Sequence, residues 1–217
     1  GKQLKSFEKN FIRENKGSYG AAVGSGTDAL IIALKVFNIS RGDEVITVSN
    51  TAIPTVSAIT IVGARARFAD IGDDYLIDVS KIEKLINKRT KAIIPVHLYG
   101  QSCDMDKINK IAKKYKIPII EDACQSILAS IQNKNSGTWS DFGAFSLHPL
   151  KNINVWSDGG MIVTSNKRYY ERLKLLRNHG LVDRDNVKII GYNSRLDTIQ
   201  AVVGNWLIPS ARKIANQ

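Results

Sequence analysis

The segment Ile117-Pro118-Ile119-Ile120-Glu121-Asp122 contains a short apolar strand, 117–120, that ends in two acidic residues. A helix precedes it, because apolar residues recur at helical spacing between Met105 and Tyr115, with lysines on the opposite side. A second short apolar strand, 142–146, follows it. Short apolar strands that alternate with helices are typical of an α/β domain with a mainly parallel sheet.

The same alternation extends over most of the chain and predicts a three-layer αβα architecture. Further helices are predicted over 3–14, 27–37, 54–62, 79–88 and 167–178, and further strands over 19–23, 44–48, 65–68, 91–96 and 161–164. Thr27 is the expected N-cap of the second helix. We predict one large domain over 1–180. The segment 181–217 is more polar and less periodic, which predicts a connector and the start of a smaller C-terminal domain.

The composition excludes several classes of protein. The 217 residues, 43% of them hydrophobic, suffice for one domain with a sizeable core. No apolar run is long enough to span a bilayer, and no secretory leader opens the chain, so we expect a cytoplasmic protein that binds no membrane. Cys103 and Cys124 are the only cysteines and have no metal-ligand spacing, so we expect free thiols and no metal site.

The formal net charge of +11 would suit a nucleic-acid partner. The lysines, however, are spread over solvated helix faces, without aromatic residues between them for base stacking. We therefore expect a basic surface and no bound nucleic acid. Such a surface would also suit a substrate that carries a diphosphate.

Four polar segments lie beside strands of the predicted sheet, where folds of this kind bind ligands. The turn 24–27 leads into a helix whose N-terminal N–H groups would attract a phosphate. An ordinary strand-to-helix turn is an equally good interpretation of this segment. Glu121 and Asp122 would direct one carboxylate into the crevice, although solvated turn acids are as common. The segment 146–151 brings a serine and a lysine past a strand end, where a surface lysine is the ordinary alternative. By itself, 157–160 indicates only a loop.

Together the segments fit one cofactor, pyridoxal 5′-phosphate. This cofactor needs a phosphate cup, a lysine that forms an imine with its aldehyde, and an acid beside its pyridine nitrogen. The acid keeps the ring nitrogen protonated, so that the ring accepts electrons when the substrate Cα–H bond breaks. The lysine, once released by imine exchange, moves that proton.

The chain resembles the sugar aminotransferases of the DegT/DnrJ/EryC1/StrS family over essentially its whole length, and six motifs carry the resemblance. They are Gly24-Ser25-Gly26-Thr27-Asp28-Ala29-Leu30, Pro95-Val96-His97-Leu98-Tyr99-Gly100-Gln101, Glu121-Asp122-Ala123-Cys124-Gln125-Ser126, Phe145-Ser146-Leu147-His148-Pro149-Leu150-Lys151, Asp158-Gly159-Gly160 and Gly191-Tyr192-Asn193-Ser194-Arg195-Leu196-Asp197. The resemblance implies the aspartate-aminotransferase type of fold, which is the type I fold of pyridoxal-phosphate enzymes. It also implies a homodimer with sites at the interface.

The resemblance also implies a role for individual residues. Lys151 would carry the Schiff base and Asp122 would face the pyridine nitrogen, while Gln125 would lie near the ring and its phenolic oxygen. Asn193 would reach the cofactor phosphate of the neighbouring subunit. His148 matches a recurrent histidine whose role stays open. The phosphate of the same subunit would be held by Gly26, Thr27 and Ser146.

Several positions depart from the family pattern. Ala52 stands where many members have an aromatic residue that stacks on the cofactor ring. Ile127 and Leu128 replace the usual His-Gly pair, and Ser157 replaces a common glycine. None of these changes removes a catalytic group. Members of the family also begin before Gly1 and continue past Gln217, so the chain is expected to lack the extreme N-terminus and the small C-terminal domain.

The function implied is transfer of an amino group, from glutamate, to a nucleotide-linked keto-sugar in amino-sugar, O-antigen or polysaccharide biosynthesis. One alternative is a pyridoxal-phosphate sugar dehydratase, although relatives with that activity replace the lysine with histidine. A second alternative is a fragment that binds the cofactor without turnover. Absorbance of a lysine imine, and its bleaching by glutamate, distinguishes these readings.

Overall fold

A computed structural model describes residues 1–215, so the last two residues of the predicted segment 181–217 lie outside it. The strands are β1 Tyr19–Val23, β2 Glu44–Val48, β3 Arg65–Ala69, β4 Thr90–Ile93, β5 Ile120–Asp122, β6 Ser130–Ile131, β7 Lys134–Asn135, β8 Phe142–Ser146 and β9 Gly160–Thr164. The helices are α1 Lys2–Glu14, α2 Gly26–Val36, α3 Ile53–Ile61, α4 Val79–Leu85, α5 Met105–Tyr115, α6 Lys167–Leu176, α7 Thr198–Leu207 and α8 Ala211–Ala215.

The central sheet has the strand order β3-β2-β4-β5-β8-β9-β1. Ladders join β3-β2-β4 and β5-β8-β9-β1, and parallel bridges between Ile93 and Ile119 and between Val96 and Asp122 connect the two groups. Strand β9 runs antiparallel to both of its neighbours, β8 and β1, while the other pairs in the central sheet are parallel. The predicted mainly parallel α/β sheet is therefore confirmed, with β9 as its one reversed strand among the described residues.

Helices cover both faces of the sheet, which gives the predicted three layers. Alternate residues of β1 show the division, since Ala21 and Val23 pack with α2, α3 and α6 on one face, and Ala22 packs with α1 and α7 on the other. Helices α4 and α5 cover the rest of this second face. Ala201 of α7 shares a cluster with Phe7, so α7 lies on the same core as α1. The predicted domain division at residue 180 stays a prediction.

Most predicted elements are found within a few residues of their expected bounds, and one shift matters for the site. The strand predicted over 117–120 is β5, Ile120–Asp122. Pro118 has no N–H for a ladder, and the N–H of Ile119 donates to Oδ2 of Asp141 at 3.0 Å, so the strand starts later. The two acidic residues therefore form part of the strand and do not follow it.

Other predicted bounds were too long. The helix predicted over 79–88 ends at Leu85, and the one over 167–178 ends at Leu176. The strand predicted over 91–96 is Thr90–Ile93, and the hairpin β6–β7 was not predicted. Among residues 1–215, no helix is both long and apolar enough to cross a membrane.

Candidate functional site

A cavity of about 320 Å³ lies beyond the carboxyl ends of β5 and β8, at the N-terminus of α2. This is the position where open α/β sheets bind ligands. Most of the predicted site residues are among those that line it. The lining is Ser25, Gly26, Thr27, Leu30, Thr51, Ala52, Pro54, Thr55, Val96, Asp122, Cys124, Gln125, Ser146, His148, Lys151 and Asp158.

The start of α2 forms an anion-binding end of the cavity. Ser25, not Thr27, is the N-cap, since its extended backbone precedes the helix and its Oγ accepts the N–H of Asp28 at 3.0 Å. The prediction for Thr27 was therefore wrong, because the helix begins at Gly26. Helix geometry leaves the N–H groups of Gly26 and Thr27 without a partner in the helix, so they are available to an anion.

Gly26 is required by close packing at this end. A Cβ on Gly26 would lie 2.8 Å from Cβ of Ser146 and 3.0 Å from Sγ of Cys124. The α2 backbone therefore approaches the end of β8 closely, and the hydroxyl-bearing residues Thr27 and Ser146 line the same cavity. The result is a cradle of backbone N–H and hydroxyl groups that suits a phosphate.

The two acids of β5 point to opposite faces, as neighbouring residues of a strand must. Asp122 is buried and lines the cavity. Its Oδ2 accepts the Thr55 hydroxyl at 2.7 Å, and its Oδ1 accepts the N–H of Cys124 at 3.2 Å. The cavity thus contains one carboxylate whose orientation is fixed by the protein.

Glu121 lies on the opposite face, fully buried, and anchors the segment that follows the hairpin β6–β7. Its Oε2 accepts the N–H of Gly137 at 2.7 Å and Nε2–H of His97 at 2.9 Å. Its Oε1 accepts the N–H groups of Trp139 and Ser140 at 2.8 and 3.0 Å, and the Ser140 hydroxyl at 2.8 Å. All five contacts are donors, so the site is built for a carboxylate.

His97 is held in one orientation beside Glu121. The N–H of Cys103 donates to Nδ1 of His97 at 3.1 Å, which requires the Nδ1 lone pair. The ring is therefore neutral, with its proton on Nε2, and the only charge of the pair is on Glu121.

Lys151 lies in the loop after β8, with its N–H bonded to the carbonyl of His148 at 2.8 Å. Within residues 1–215, its ammonium makes no salt bridge with a carboxylate. An amine that lines a cavity and makes no salt bridge is suited to attack a carbonyl group.

Cys124 is the second potential nucleophile of the cavity. Burial raises the pKa of its thiol well above the usual value, and Asp122 raises it further, while Lys151 acts in the opposite direction. The thiol therefore stays protonated at neutral pH and is a poor nucleophile. Lys151 is left as the group that reacts with an aldehyde.

Three other predicted residues also line the cavity. The side-chain Oε1 of Gln125 accepts the N–H of Tyr99 at 2.9 Å, which leaves the amide N–H₂ of Gln125 as the group with donors to spare. Nδ1 of His148 accepts the N–H of Leu150 at 3.2 Å. Ala52 is exposed at the start of α3 and leaves that side of the cavity without an aromatic cover.

Asn193 is the one predicted site residue that does not line this cavity. It is exposed, and its neighbour Ser194 ties the segment to the anion-binding end. Oγ of Ser194 accepts the N–H of Gly24 at 2.9 Å and donates to Oδ2 of Asp28 at 2.6 Å. The segment that contains Asn193 is thus tied to α2, although Asn193 does not line the cavity.

The comparisons with known proteins agree with this geometry. The model of the DegT/DnrJ/EryC1/StrS aminotransferase family matches residues 1–215. The chain belongs to this family. Its DegT/DnrJ/EryC1/StrS relatives include UDP-N-acetyl-3-dehydro-alpha-D-glucosamine 3-aminotransferase of Acidithiobacillus ferrooxidans, 42% identical over 94% of this chain and 55% of the relative. Another is dTDP-3-amino-3,6-dideoxy-alpha-D-galactopyranose transaminase of Aneurinibacillus thermoaerophilus, 42% identical over 94% of this chain and 56% of the relative.

Solved structures in the DegT/DnrJ/EryC1/StrS family share the fold. DesV of S. venezuelae, in complex with a ketimine intermediate, has a TM-score of 0.96 at 36% identity, over 98% of this chain and 58% of that chain. NtdA of Bacillus subtilis with bound cofactor PMP has a TM-score of 0.90 at 36% identity, over 96% of this chain and 48% of that chain. The chain thus spans about half the length of these family members.

Sequence reasoning missed several lining residues of this family member. Thr55 of α3 bonds to Asp122, and Thr51, just before α3, bonds to Thr55, but nothing in a short apolar helix marks a threonine as part of a site. Asp158 lines the cavity from a segment whose sequence indicated only a loop. Within residues 1–215, no His, Cys, Asp or Glu side chains cluster in a way that would hold a metal ion.

Proposed function

We propose that this chain binds pyridoxal 5′-phosphate as a Schiff base on Lys151 and transfers an amino group, from glutamate, to a nucleotide-linked keto-sugar. One observation carries the proposal. A single cavity combines an uncommitted lysine amine, a buried and oriented carboxylate, and a cradle of N–H and hydroxyl groups. These are the three groups that the cofactor requires.

Each part of the cavity has a distinct task. The N–H groups of Gly26 and Thr27, with the hydroxyls of Thr27 and Ser146, would hold the phosphate. The carboxylate of Asp122 would accept the pyridine N–H, and the amide of Gln125 would donate to the phenolic oxygen. When bound, the cofactor supplies a ring that accepts the electrons released at the substrate Cα. Nζ of Lys151 would remove and return the Cα proton.

The substrate class rests on the relatives. Two of them are named as aminotransferases of a UDP-linked and a dTDP-linked sugar, so a nucleotide-linked keto-sugar is the substrate that we propose. Lys151 argues against the sugar dehydratase alternative, since a lysine occupies the position that is histidine in those enzymes. Binding without turnover is the second alternative, and the test below distinguishes it.

The absorption spectrum of the purified chain with added pyridoxal 5′-phosphate tests the proposal. We expect a lysine-imine band that bleaches when glutamate is added, and a borohydride-reduced adduct that peptide mapping assigns to Lys151. A band that forms and does not bleach would support the alternative of binding without turnover. A chain that forms no imine at all would contradict the proposal.

Asp122→Asn is expected to keep imine formation and to slow glutamate-driven bleaching by about a hundredfold. The amide keeps the shape but loses the charge, and a hydrogen bond to a charged group contributes roughly 1.5–3 kcal/mol. The loss grows in the transition state because charge develops on the ring. Stopped-flow bleaching measures it, with Asp106→Asn on the exposed side of α5 as the matched control. An unchanged rate would remove Asp122 from the proposed site.

We further propose a homodimer in which Asn193 of one subunit contacts the cofactor phosphate of the other. The exposure of Asn193 and its absence from its own cavity support this arrangement. The free thiols of Cys103 and Cys124 are usual in a reducing compartment, which supports a cytoplasmic location.

Mixing two variants tests the shared site. Lys151→Ala forms no adduct, and Asn193→Ala is expected to bind the cofactor about tenfold more weakly, as for a lost hydrogen bond to a charged group. After subunit exchange, each mixed dimer contains one site with an intact lysine and an intact asparagine. Titration should then show a population of sites with the original affinity. If only weak sites appear, Asn193 serves its own subunit.

A further inference from the structure

The carboxylate of Asp122 is the last acceptor in a chain of hydroxyl groups. Thr55 is buried, and its Oγ1 lies 2.7 Å from Oδ2 of Asp122. Oγ1 of Thr51 lies 2.7 Å from Oγ1 of Thr55. The three side chains line the same cavity and connect its wall to the acid.

The number of protons on each group sets the direction of these two hydrogen bonds. A carboxylate has no proton to give, so the Thr55 hydroxyl donates to Asp122. A hydroxyl has one proton, so Thr55 can only accept from Thr51, and Thr51 is the donor of that contact. The donors therefore run in one direction, from Thr51 through Thr55 to Asp122.

The start of α3 holds both threonines in place. Thr55 lies in the first turn of α3, and Thr51 lies just before its N-cap residue, Ala52. The N–H of Thr55 donates to the carbonyl of Ala52 at 3.2 Å, and Pro54 restricts the backbone of the first turn. Threonine is also stiff at χ1, so its hydroxyl stays aimed with little loss of entropy.

We propose that Thr55, supported by Thr51, is a positioning residue that orients Asp122 and keeps it the acceptor of the cofactor's pyridine N–H. A donated hydrogen bond favours the charged form of a carboxylate, so the shared proton stays on the ring nitrogen. It also prevents the carboxylate from turning away from the ring. This inference rests on the proposed function, since it concerns how the same site keeps the ring nitrogen of its cofactor protonated.

Thr55→Val tests the proposal because valine has the same shape and no donor. We expect the cofactor to bind about tenfold more weakly, as for a lost hydrogen bond to a charged group. With nitrogen-15-labelled pyridoxal 5′-phosphate, the ring-nitrogen NMR signal should move from the protonated towards the unprotonated range. Thr55→Ser keeps the hydroxyl and should restore the original signal. Thr60→Val, on the exposed side of α3, is the matched control and should change neither quantity.

Thr51→Val provides a second, milder variant in case Thr55→Val does not fold. It removes the donor to Thr55, so affinity should fall about threefold and the signal should move part of the way. The proposal is overturned if the folded Thr55→Val protein keeps the original signal and affinity, or, where only Thr51→Val folds, if that variant keeps both.

The two proposals fail in different ways. If the unsubstituted chain forms no imine on Lys151, the proposed function is wrong and this inference falls with it. If the unsubstituted chain forms the imine with a protonated ring nitrogen, and Thr55→Val is indistinguishable from it, only the role of Thr55 is wrong.

Discussion

Lys151→Ala is expected to abolish the borohydride-reducible adduct with pyridoxal 5′-phosphate completely. Only an unprotonated amine can form the imine, and within the described cavity lining Lys151 is the one lysine. Cys124 does not replace it, because burial raises the pKa of that thiol and keeps it protonated. Mass spectrometry of the reduced protein measures the effect as the loss of one cofactor mass per chain.

Lys151→Arg distinguishes the loss of the nucleophilic amine from the loss of the positive charge. Arginine keeps the positive charge, but its guanidinium stays protonated and is no nucleophile, so the adduct should be lost in this variant as well. Lys110→Ala, on the exposed side of α5, is the control and should form the adduct normally. An adduct that survives in Lys151→Ala, or that maps to another lysine, would show that the site is assigned wrongly.

Glu121→Gln is expected to lower the free energy of unfolding by about 3–5 kcal/mol, because buried donors around the side chain lose their acceptor at a cost of roughly 1–3 kcal/mol each. All five groups around Glu121 are donors, while a glutamine amide has one acceptor atom and two donors of its own. The amide N–H₂ would therefore face other donors. For a domain of this size, we expect the melting temperature to fall by roughly 10 °C.

Urea unfolding of Glu121→Gln measures this loss against a matched surface change. Glu83→Gln removes the carboxylate of an exposed pair with Lys114, in which the Nζ–Oε1 distance is 2.7 Å. Exposed pairs contribute little to stability, so this control should unfold near the original urea concentration. If Glu121→Gln unfolds there as well, the buried network is not an anchor of the fold.

Hydrophobic periodicity was enough to predict the order of the large elements and the three layers. The strands are short runs of apolar residues and the helices have a clear apolar side, so the spacing alone separates the two. The predicted ligand-binding edge followed from the same pattern, because polar segments at strand ends converge in parallel sheets. The roles of Lys151 and Asp122 came from motif resemblance and remain proposals.

What the sequence did not reveal depends on contacts between distant residues. Glu121 is buried at the centre of five donors, and no local pattern distinguishes such a residue from a solvated acid. Thr55 reaches Asp122 across a separation of 67 residues. The β6–β7 hairpin was missed because each strand has two residues, and its turn residues Gln132 and Asn133 have left-handed backbones, with φ of 51° and 62°.

The pairing of β1 with β9 has a consequence for the synthesis of the protein. Val23, just before the turn 24–27, pairs with Gly160, and the ribosome adds these two residues at widely separated times. At a usual elongation rate the interval is on the order of ten seconds. During that interval the turn has left the ribosome without the strand that packs against it, and Lys151 has not been made for most of it. A nascent chain therefore cannot form the proposed imine on Lys151 until most of the segment between β1 and β9 has been made.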